Sequence, residues 1–148
     1  MTTTTERIFS GMPKPNSSRM VRGFSMVELA IVIGMIALLT AIAIPIYASN
    51  VNKAKLSEAD ANLGSIRTQL RIYYGQNSEY PKAPTGAMVV GAHWNDINTG
   101  GLTGKYFEDS AYRYVSAEGI QFTITCQAES QLNSDRTIDE SGNLAGGN

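Results

Sequence analysis

Cysteine and histidine, which often serve as nucleophile, general base or zinc ligand, are scarce in this chain of 148 residues. It has one cysteine, Cys126, and one histidine, His93, so a single chain forms neither a disulfide nor a Cys/His zinc site. Cys126 falls on the apolar side of a predicted strand, which favours a buried structural thiol over a nucleophile. His93 has no visible partner and is expected at the surface. The sequence therefore predicts no catalytic site, no metal site and no cofactor.

One acid, Glu28, is notable for its position. It directly precedes 20 residues that carry no charge, residues 29–48, which read LAIVIGMIALLTAIAIPIYA. A helix of that length spans roughly 30 Å, about the hydrocarbon thickness of a bilayer. A carboxylate at the edge of such a segment is costly unless it is paired or lies near the interface. Glu28 therefore either marks the interface or first helical turn, where acids suit the helix dipole, or has a partner.

The apolar segment has three competing interpretations. Lys14, Arg19 and Arg22 precede it, and basic residues of this kind stay cytoplasmic, so the C-terminal part should face outward. A cleavable secretory signal is disfavoured because the run exceeds the usual length of about 7–15 residues and continues past the small-residue exit at residues 41–43. The second interpretation is a plain single-span anchor for an exported domain. The third depends on the residues just before Glu28.

Those residues form a recognisable motif. Residues 22–28 read RGFSMVE and are followed by the apolar run. This arrangement resembles the processing motif of type IV prepilins and type II secretion pseudopilins, and the resemblance extends over about residues 20–74. It implies that a prepilin peptidase cuts after Gly23 and methylates the new N-terminal residue, Phe24. It also implies that Glu28 pairs with the N-terminal amine of a neighbouring subunit during assembly.

The resemblance also implies a function, partners and a location. The chain is expected to be a structural subunit of a type IV pilus-like filament and not an enzyme. Its implied partners are copies of itself and other pilins, the prepilin peptidase, the inner membrane, and a pilus or type II secretion assembly platform. It would start as a single-pass inner-membrane precursor and end in an extracellular or periplasmic filament. A pseudopilin of a type II secretion system and a membrane-anchored extracytoplasmic binding domain remain as alternatives.

Three segments follow from the resemblance. Residues 1–23 are expected to be a leader that is removed, with Met20 as an alternative start that would give a short leader. Residues 24–50 would form a hydrophobic transmembrane and filament-core helix, and residues 51–148 a globular head that includes the C-terminal half of the helix. The first 23 residues contain four bases and one acid, so the remainder has 8 bases and 12 acids, a net charge of −4. No nucleic-acid partner is predicted for an acidic subunit.

Helical periodicity continues beyond the apolar segment. Apolar residues recur at spacings of three and four, which is typical of an amphipathic helix: Leu56, Ala59, Leu63, Ile66, Leu70 and Tyr73. The opposite face is predicted to carry Lys53, Asp60, Arg67 and Arg71. The helix is expected over residues 24–74, with Gly75 as a stop. Pro45 removes a backbone hydrogen bond and Gly34 adds flexibility, so both are predicted to loosen or kink it.

The C-terminal half carries strand patterns. Residues 112–117 and 120–128 are separated by a turn at Glu118-Gly119 and are predicted to pair as an antiparallel hairpin. A further short strand is expected at residues 136–139, and residues 82–105 are predicted to be a Gly-rich connector. The predicted fold class is α+β, a long N-terminal α-helix packed on a small antiparallel sheet of three or four strands.

Acidic residues cluster near the C-terminus. Asp135, Asp139 and Glu140 do not have the spacing of an EF-hand, and a solvated acidic tail is predicted rather than a calcium site. With Cys126 alone, the disulfide-closed C-terminal loop of many major pilins cannot form. This difference suits short pilins, minor pilins and pseudopilins equally well.

Overall fold

The computed structural model describes residues 23–147. Its elements are a long helix, α1 (Met26–Asn77), followed by five strands and one short 3-10 helix (Asp109–Ala111). The strands are β1 (Ala83–Met88), β2 (Tyr112–Ser116), β3 (Thr123–Cys126), β4 (Arg136–Asp139) and β5 (Leu144–Gly146). Apart from Gly23, the predicted leader lies outside the described residues.

The chain divides into two compact units, the first ending at Thr40 and the second beginning at Ala41. In the first unit every described residue, 23–40, is exposed. In the second, residues 41–50 are exposed as well, and burial begins along the helix beyond residue 50. The hydrophobic core of the described residues therefore lies in the second unit. We call the part of this unit from residue 51 onward the head.

The buried face of α1 is the predicted apolar stripe. Ala59, Leu63, Ile66 and Leu70 are fully buried, which confirms the spacing of three and four. Leu56 and Tyr73, at the two ends of the stripe, are half-buried. An apolar face of this kind is stabilised by removing its side chains from water, at about 25 cal/mol per Å² buried.

The prediction for the polar face of α1 was wrong at two positions. Lys53 and Arg71 are exposed as predicted, but Asp60 and Arg67 are only half-exposed and contact the C-terminal part of the head. Each follows a buried stripe residue by one position, Ala59 or Ile66, so it lies at the flank of the buried face. From a flank, a charged side chain reaches the segments that pack beside the helix.

The sheet is fully antiparallel, and its strand order follows the chain, β1-β2-β3-β4-β5. This confirms the α+β fold class and the strand at Arg136–Asp139. The sheet has five strands, whereas three or four were predicted. The two strands that the prediction missed are β1 and β5. Strand β1 lies within the predicted connector, contains proline and glycine, and pairs with an irregular register, so it lacks a regular strand pattern. Strand β5 has only three residues, and all are exposed. Strand β3 starts later than predicted, which leaves Ile120 68% exposed.

The predicted connector also contributes to the core. Val89, Trp94 and Leu102 are buried, and the Trp94 ring lies 5.0 Å from the ring of Tyr114, centroid to centroid. The Tyr114 hydroxyl donates to the Pro81 carbonyl at 2.7 Å, and burial raises the pKa of Tyr114 to about 12. A buried tyrosine hydroxyl needs such a partner, so this bond fixes the chain just after α1.

Candidate assembly surface

The apolar part of α1 is the largest exposed apolar feature of the described chain. Fifteen large hydrophobic side chains between Phe24 and Tyr47 are more than 40% exposed. An 18-residue window of the helix has a mean hydropathy of 2.7 and is not buried at all. By length and composition, α1 is the one helix among residues 23–147 that is able to cross a membrane. This surface requires lipid or another apolar surface to cover it.

Ser25 caps the start of α1. The Val27 N–H donates to Ser25 Oγ at 3.2 Å, and the Leu29 N–H donates to the Ser25 carbonyl at 3.1 Å. Glu28 lies in the first turn of the helix and is exposed. Sequence reasoning missed the role of Ser25, although Ser followed three residues later by Glu is the pattern of a capping box. Helix polarity alone therefore gives Glu28 a favourable position.

Gly23 and Phe24 precede the helix. Both lie outside regular structure and are exposed, Phe24 by 78%. The peptide bond between them is thus free of the helical hydrogen bonding that begins at Met26. A bond in exposed backbone outside regular structure is open to an enzyme that must bind it across its own active site.

Inside the apolar segment three residues depart from the simple apolar pattern. A Cβ at Gly34 would meet no atom within 4 Å among the described residues, so nothing within the chain requires glycine there. Pro45 lies within α1, where it cannot donate a backbone hydrogen bond. The Thr40 hydroxyl is satisfied locally, because it donates to the carbonyls of Ile36 at 2.9 Å and Ala37 at 3.0 Å.

Beyond the apolar segment, α1 holds the head through a carboxylate. Glu58 accepts backbone N–H groups from Lys105 at 3.0 Å, Tyr106 at 2.9 Å and Phe107 at 2.9 Å. A Cβ at Gly104 would collide with the Glu58 carboxylate, so glycine leaves the space that this carboxylate occupies. Hydrogen bonds to a charged acceptor are stronger than neutral ones, and three of them order the loop against the helix.

Asp109 orders the same loop from its other end. It accepts the backbone N–H of Gly100 at 2.5 Å and of Leu102 at 3.0 Å, and the Thr103 hydroxyl at 3.0 Å. These bonds, first of all the one from Gly100, lower the pKa of Asp109 because they favour its charged form. The loop before the 3-10 helix is therefore built around two carboxylates, Glu58 and Asp109.

The C-terminal hairpin is fastened to α1 by two arginine contacts. Arg136 donates to both Asp60 oxygens, at 2.7 Å from Nε and 3.0 Å from Nη2, and to the Gly146 carbonyl at 2.7 Å. Arg67 donates to the Glu140 carbonyl at 3.3 Å from Nε and 3.0 Å from Nη2. The hydrogen bonds to Asp60 raise the pKa of Arg136. Because a two-pronged Arg–carboxylate contact is specific in geometry, this pair sets the position of β4 on the helix.

Replacing Asp60 by Asn is expected to destabilise the head by about 1–2 kcal/mol, because it leaves a half-buried guanidinium without its counter-charge. The two side chains are only 17% and 31% exposed. Urea unfolding of the full chain in detergent, followed by the fluorescence of its single tryptophan, Trp94, measures this loss.

The matched control is Glu79→Gln. Its pair with Lys82 has an N–O distance of 3.3 Å, and both side chains are more than half exposed. Breaking it should change stability by less than about 0.5 kcal/mol. Equal effects of the two variants would show that the Asp60–Arg136 pair contributes nothing special.

Cys126 and His93 lie where the sequence predicted. Cys126 is fully buried opposite Tyr112 in the sheet, and burial raises the pKa of its thiol to about 12. The thiol therefore stays protonated at neutral pH and is a poor nucleophile. His93 is exposed in the loop after β1.

The acidic residues near the C-terminus bind backbone and amide groups of their own turns. Asp139 accepts the Asn143 N–H at 2.8 Å and its side-chain amide at 2.9 Å, which lowers the pKa of Asp139. Asp135 accepts the Ala128 N–H at 2.8 Å. Within residues 23–147 no group of three His, Cys, Asp or Glu side chains is placed to hold a metal ion.

An exposed apolar helix with a capped start and a small α+β head fit a membrane-anchored or self-associating subunit. The fimbrial protein EcpC of Eikenella corrodens is 33% identical over 109 residues, 74% of this chain and 63% of that protein. The type IV major pilin PilE of Neisseria gonorrhoeae is 30% identical over 60% of this chain and 48% of its own length. The type IV major pilin PilA of Myxococcus xanthus is 37% identical over 40% of this chain and 27% of its own length.

The chain is similar to proteins of the type IV pilin family, which agrees with the resemblance of its N-terminal motif. The matched part spans less than two thirds of each of these three relatives. No family model and no solved structure matches the chain.

Proposed function

We propose that this chain is a structural subunit of a type IV pilus-like filament and assembles through its N-terminal helix. The observation that carries the proposal is the uncovered apolar half of α1, with one acid, Glu28, at its start. Removing one large apolar side chain from water is worth about 1.5–3 kcal/mol. Fifteen such side chains represent tens of kcal/mol, which excludes an isolated helix in water as the working state.

The same segment serves two environments in turn. In the precursor it lies in the inner membrane as a single span, and the head lies outside the cytoplasm. In the filament it packs against the apolar segments of other copies. Gly34 allows a neighbouring helix to approach closely, and Pro45 loosens the helix where it leaves the apolar core.

Maturation prepares the partner of Glu28. A prepilin peptidase cuts after Gly23 and methylates Phe24, which frees a positively charged amine at the start of the chain. Amine and carboxylate are each costly in an apolar core, and they offset one another only when neighbouring subunits stack in register. The pair therefore stabilises the filament only when neighbouring subunits stack in register.

Further partners follow from this route. They are other pilins, the peptidase and an assembly platform at the inner membrane, and the final location is an extracellular filament. A type II secretion pseudopilin is the second candidate, because its processing motif is similar and a chain with Cys126 alone forms no disulfide-closed loop. Neighbouring genes for a secretion system or for a retraction motor distinguish the two.

Mass spectrometry of the subunit from filaments or membranes tests the proposal. The N-terminal peptide is expected to begin at Phe24 and to carry one added methyl group. A Gly23→Leu variant should retain its leader, because the peptidase then meets a large side chain next to the bond.

The matched control is Ala43→Leu, which should be processed like the parent chain. An intact bond between Gly23 and Phe24, or a cut after Ala43, contradicts the proposal. The second result would indicate a secretory signal instead.

A further inference from the structure

A basic cluster lies where the head begins on α1. It consists of Lys55, Lys105 and Tyr106. The ammonium groups of Lys55 and Lys105 lie 5.9 Å and 5.3 Å from the centre of the Tyr106 ring, within the range of cation–π attraction. The Lys55 ammonium also donates to the Gln131 carbonyl at 3.0 Å, whereas Lys105 is exposed. Glu58 itself is occupied by three backbone N–H groups, so it is held in place by the loop.

An acidic groove lies elsewhere on the head, between the β2–β3 turn and the end of β4. Its volume is about 780 Å³. Among the described residues that line it are three acids and no base, and its apolar members include the exposed Ile120 and the buried Phe122. The acids are Glu118, Asp139 and Glu140.

The two features lie at opposite ends of the head. The β2–β3 turn is tied to the end of α1, because the Tyr80 N–H donates to the Gly119 carbonyl at 2.8 Å. The basic cluster is tied to the other end through Glu58. Between Glu58 and Asn77 the helix rises roughly 29 Å, at about 1.5 Å per residue.

We propose that the basic cluster of one copy binds the acidic groove of another copy in the filament. This inference rests on the proposed function and adds a head-to-head contact to the helix packing. A contact between opposite ends of identical subunits is heterologous, so it can repeat without closing and extends a filament. Opposite charges select the partner and fix its register.

The chemistry of the two surfaces fits. Lysine stems and a tyrosine ring are apolar along their length, which suits the exposed side chain of Ile120 in the groove. The exposed ammonium group of Lys105 then reaches the carboxylate of Glu118. A lipid surface would engage only the basic cluster and leave the acidic groove unused, so a second copy explains both features.

Charge reversal tests the contact. Lys105→Glu and Glu118→Lys are each expected to lower the yield of filaments about three- to tenfold, because each places like charges opposite one another. The double variant restores the attraction and should return the yield to within about twofold of the parent chain. Arg71→Glu, an exposed reversal outside both surfaces, is the control and should leave the yield unchanged.

Cross-linking gives a second measurement. A chain with both Lys105→Cys and Glu118→Cys should form disulfide-linked ladders in intact filaments, whereas each single variant stops at dimers. The native Cys126 is buried and should not take part.

The outcomes separate the two proposals. If the parent chain forms no filament, the proposed function and this inference both fall. If it forms filaments but the double variant is not rescued and no ladder appears, the head contact is wrong and the filament function stands. Loss of binding to vesicles of anionic phospholipid by Lys105→Glu, without rescue in filaments, would replace the second copy by a lipid surface.

Discussion

Replacing Glu28 by Ala is expected to leave the subunit folded and membrane-bound but to lower filament yield by tenfold or more. Without the carboxylate, the N-terminal amine of the neighbouring subunit enters an apolar core unpaired. Removing one partner of a buried ion pair typically costs about 3–5 kcal/mol, which corresponds to more than a hundredfold for each added subunit. The measurement is the ratio of subunit in sheared filaments to subunit in the membrane fraction.

Two further variants separate the charge of Glu28 from its place in the helix. Glu28→Gln keeps the shape of the side chain without its charge and should assemble as poorly as Glu28→Ala. Ser25→Ala removes the helix cap and keeps the charge, so it should still assemble. Normal filaments from Glu28→Gln would show that no charge pair is needed.

Replacing Glu58 by Ala is expected to destabilise the head by about 2–4 kcal/mol, the largest loss from a polar contact predicted here. The three N–H groups of residues 105–107 lose their shared acceptor. A hydrogen bond to a charged group contributes about 1.5–3 kcal/mol net, and the total stays below the sum of three because Lys105 is exposed to water. Urea unfolding of the full chain in detergent, read by Trp94 fluorescence, measures the loss.

The contact between Glu58 and Gly104 allows a test with two variants and their combination. Gly104→Ala should also destabilise the head, because the added methyl group would occupy the space of the Glu58 carboxylate. In the double variant that collision is gone, so its loss of stability should be smaller than the sum of the losses of the two single variants. Ser57→Ala, at the exposed neighbouring position, is the control and should have little effect. Additive losses would mean that Gly104 does not act through Glu58.

The elements that the sequence predicted well have strong periodic signals. The stripe from Ala59 to Leu70 and the alternation around Ile124 and Cys126 reflect burial on one face, and the structure buries these residues. Strand β1 was missed because its pairing with β2 has an irregular register and its burial does not alternate. Strand β5 was missed because three exposed residues carry no apolar pattern.

The polar contacts of the head were predicted less well, for a physical reason. The pairs Asp60–Arg136 and Arg67–Glu140 join residues more than 70 positions apart, so no local pattern reports them. Glu58 looked like an ordinary surface acid, since its partners are backbone N–H groups that every residue has. The N-terminal motif could be interpreted because all its residues are adjacent, although its processing and pairing stay predictions.

The C-terminal hairpin is closed onto α1 by noncovalent contacts, and this determines how the hairpin responds to reductants and to salt. Strand β4 is held to α1 by ionic and hydrogen-bonded contacts, chiefly that of Arg136 with Asp60. Reductants therefore leave this closure intact, and salt screens the pair only in part because both side chains are mostly buried. With Cys126 as the only cysteine, no disulfide within the chain takes part in this closure, so its formation needs neither oxidation nor thiol exchange. In the proposed filament, each head would therefore keep its C-terminal hairpin closed in oxidising and reducing surroundings alike.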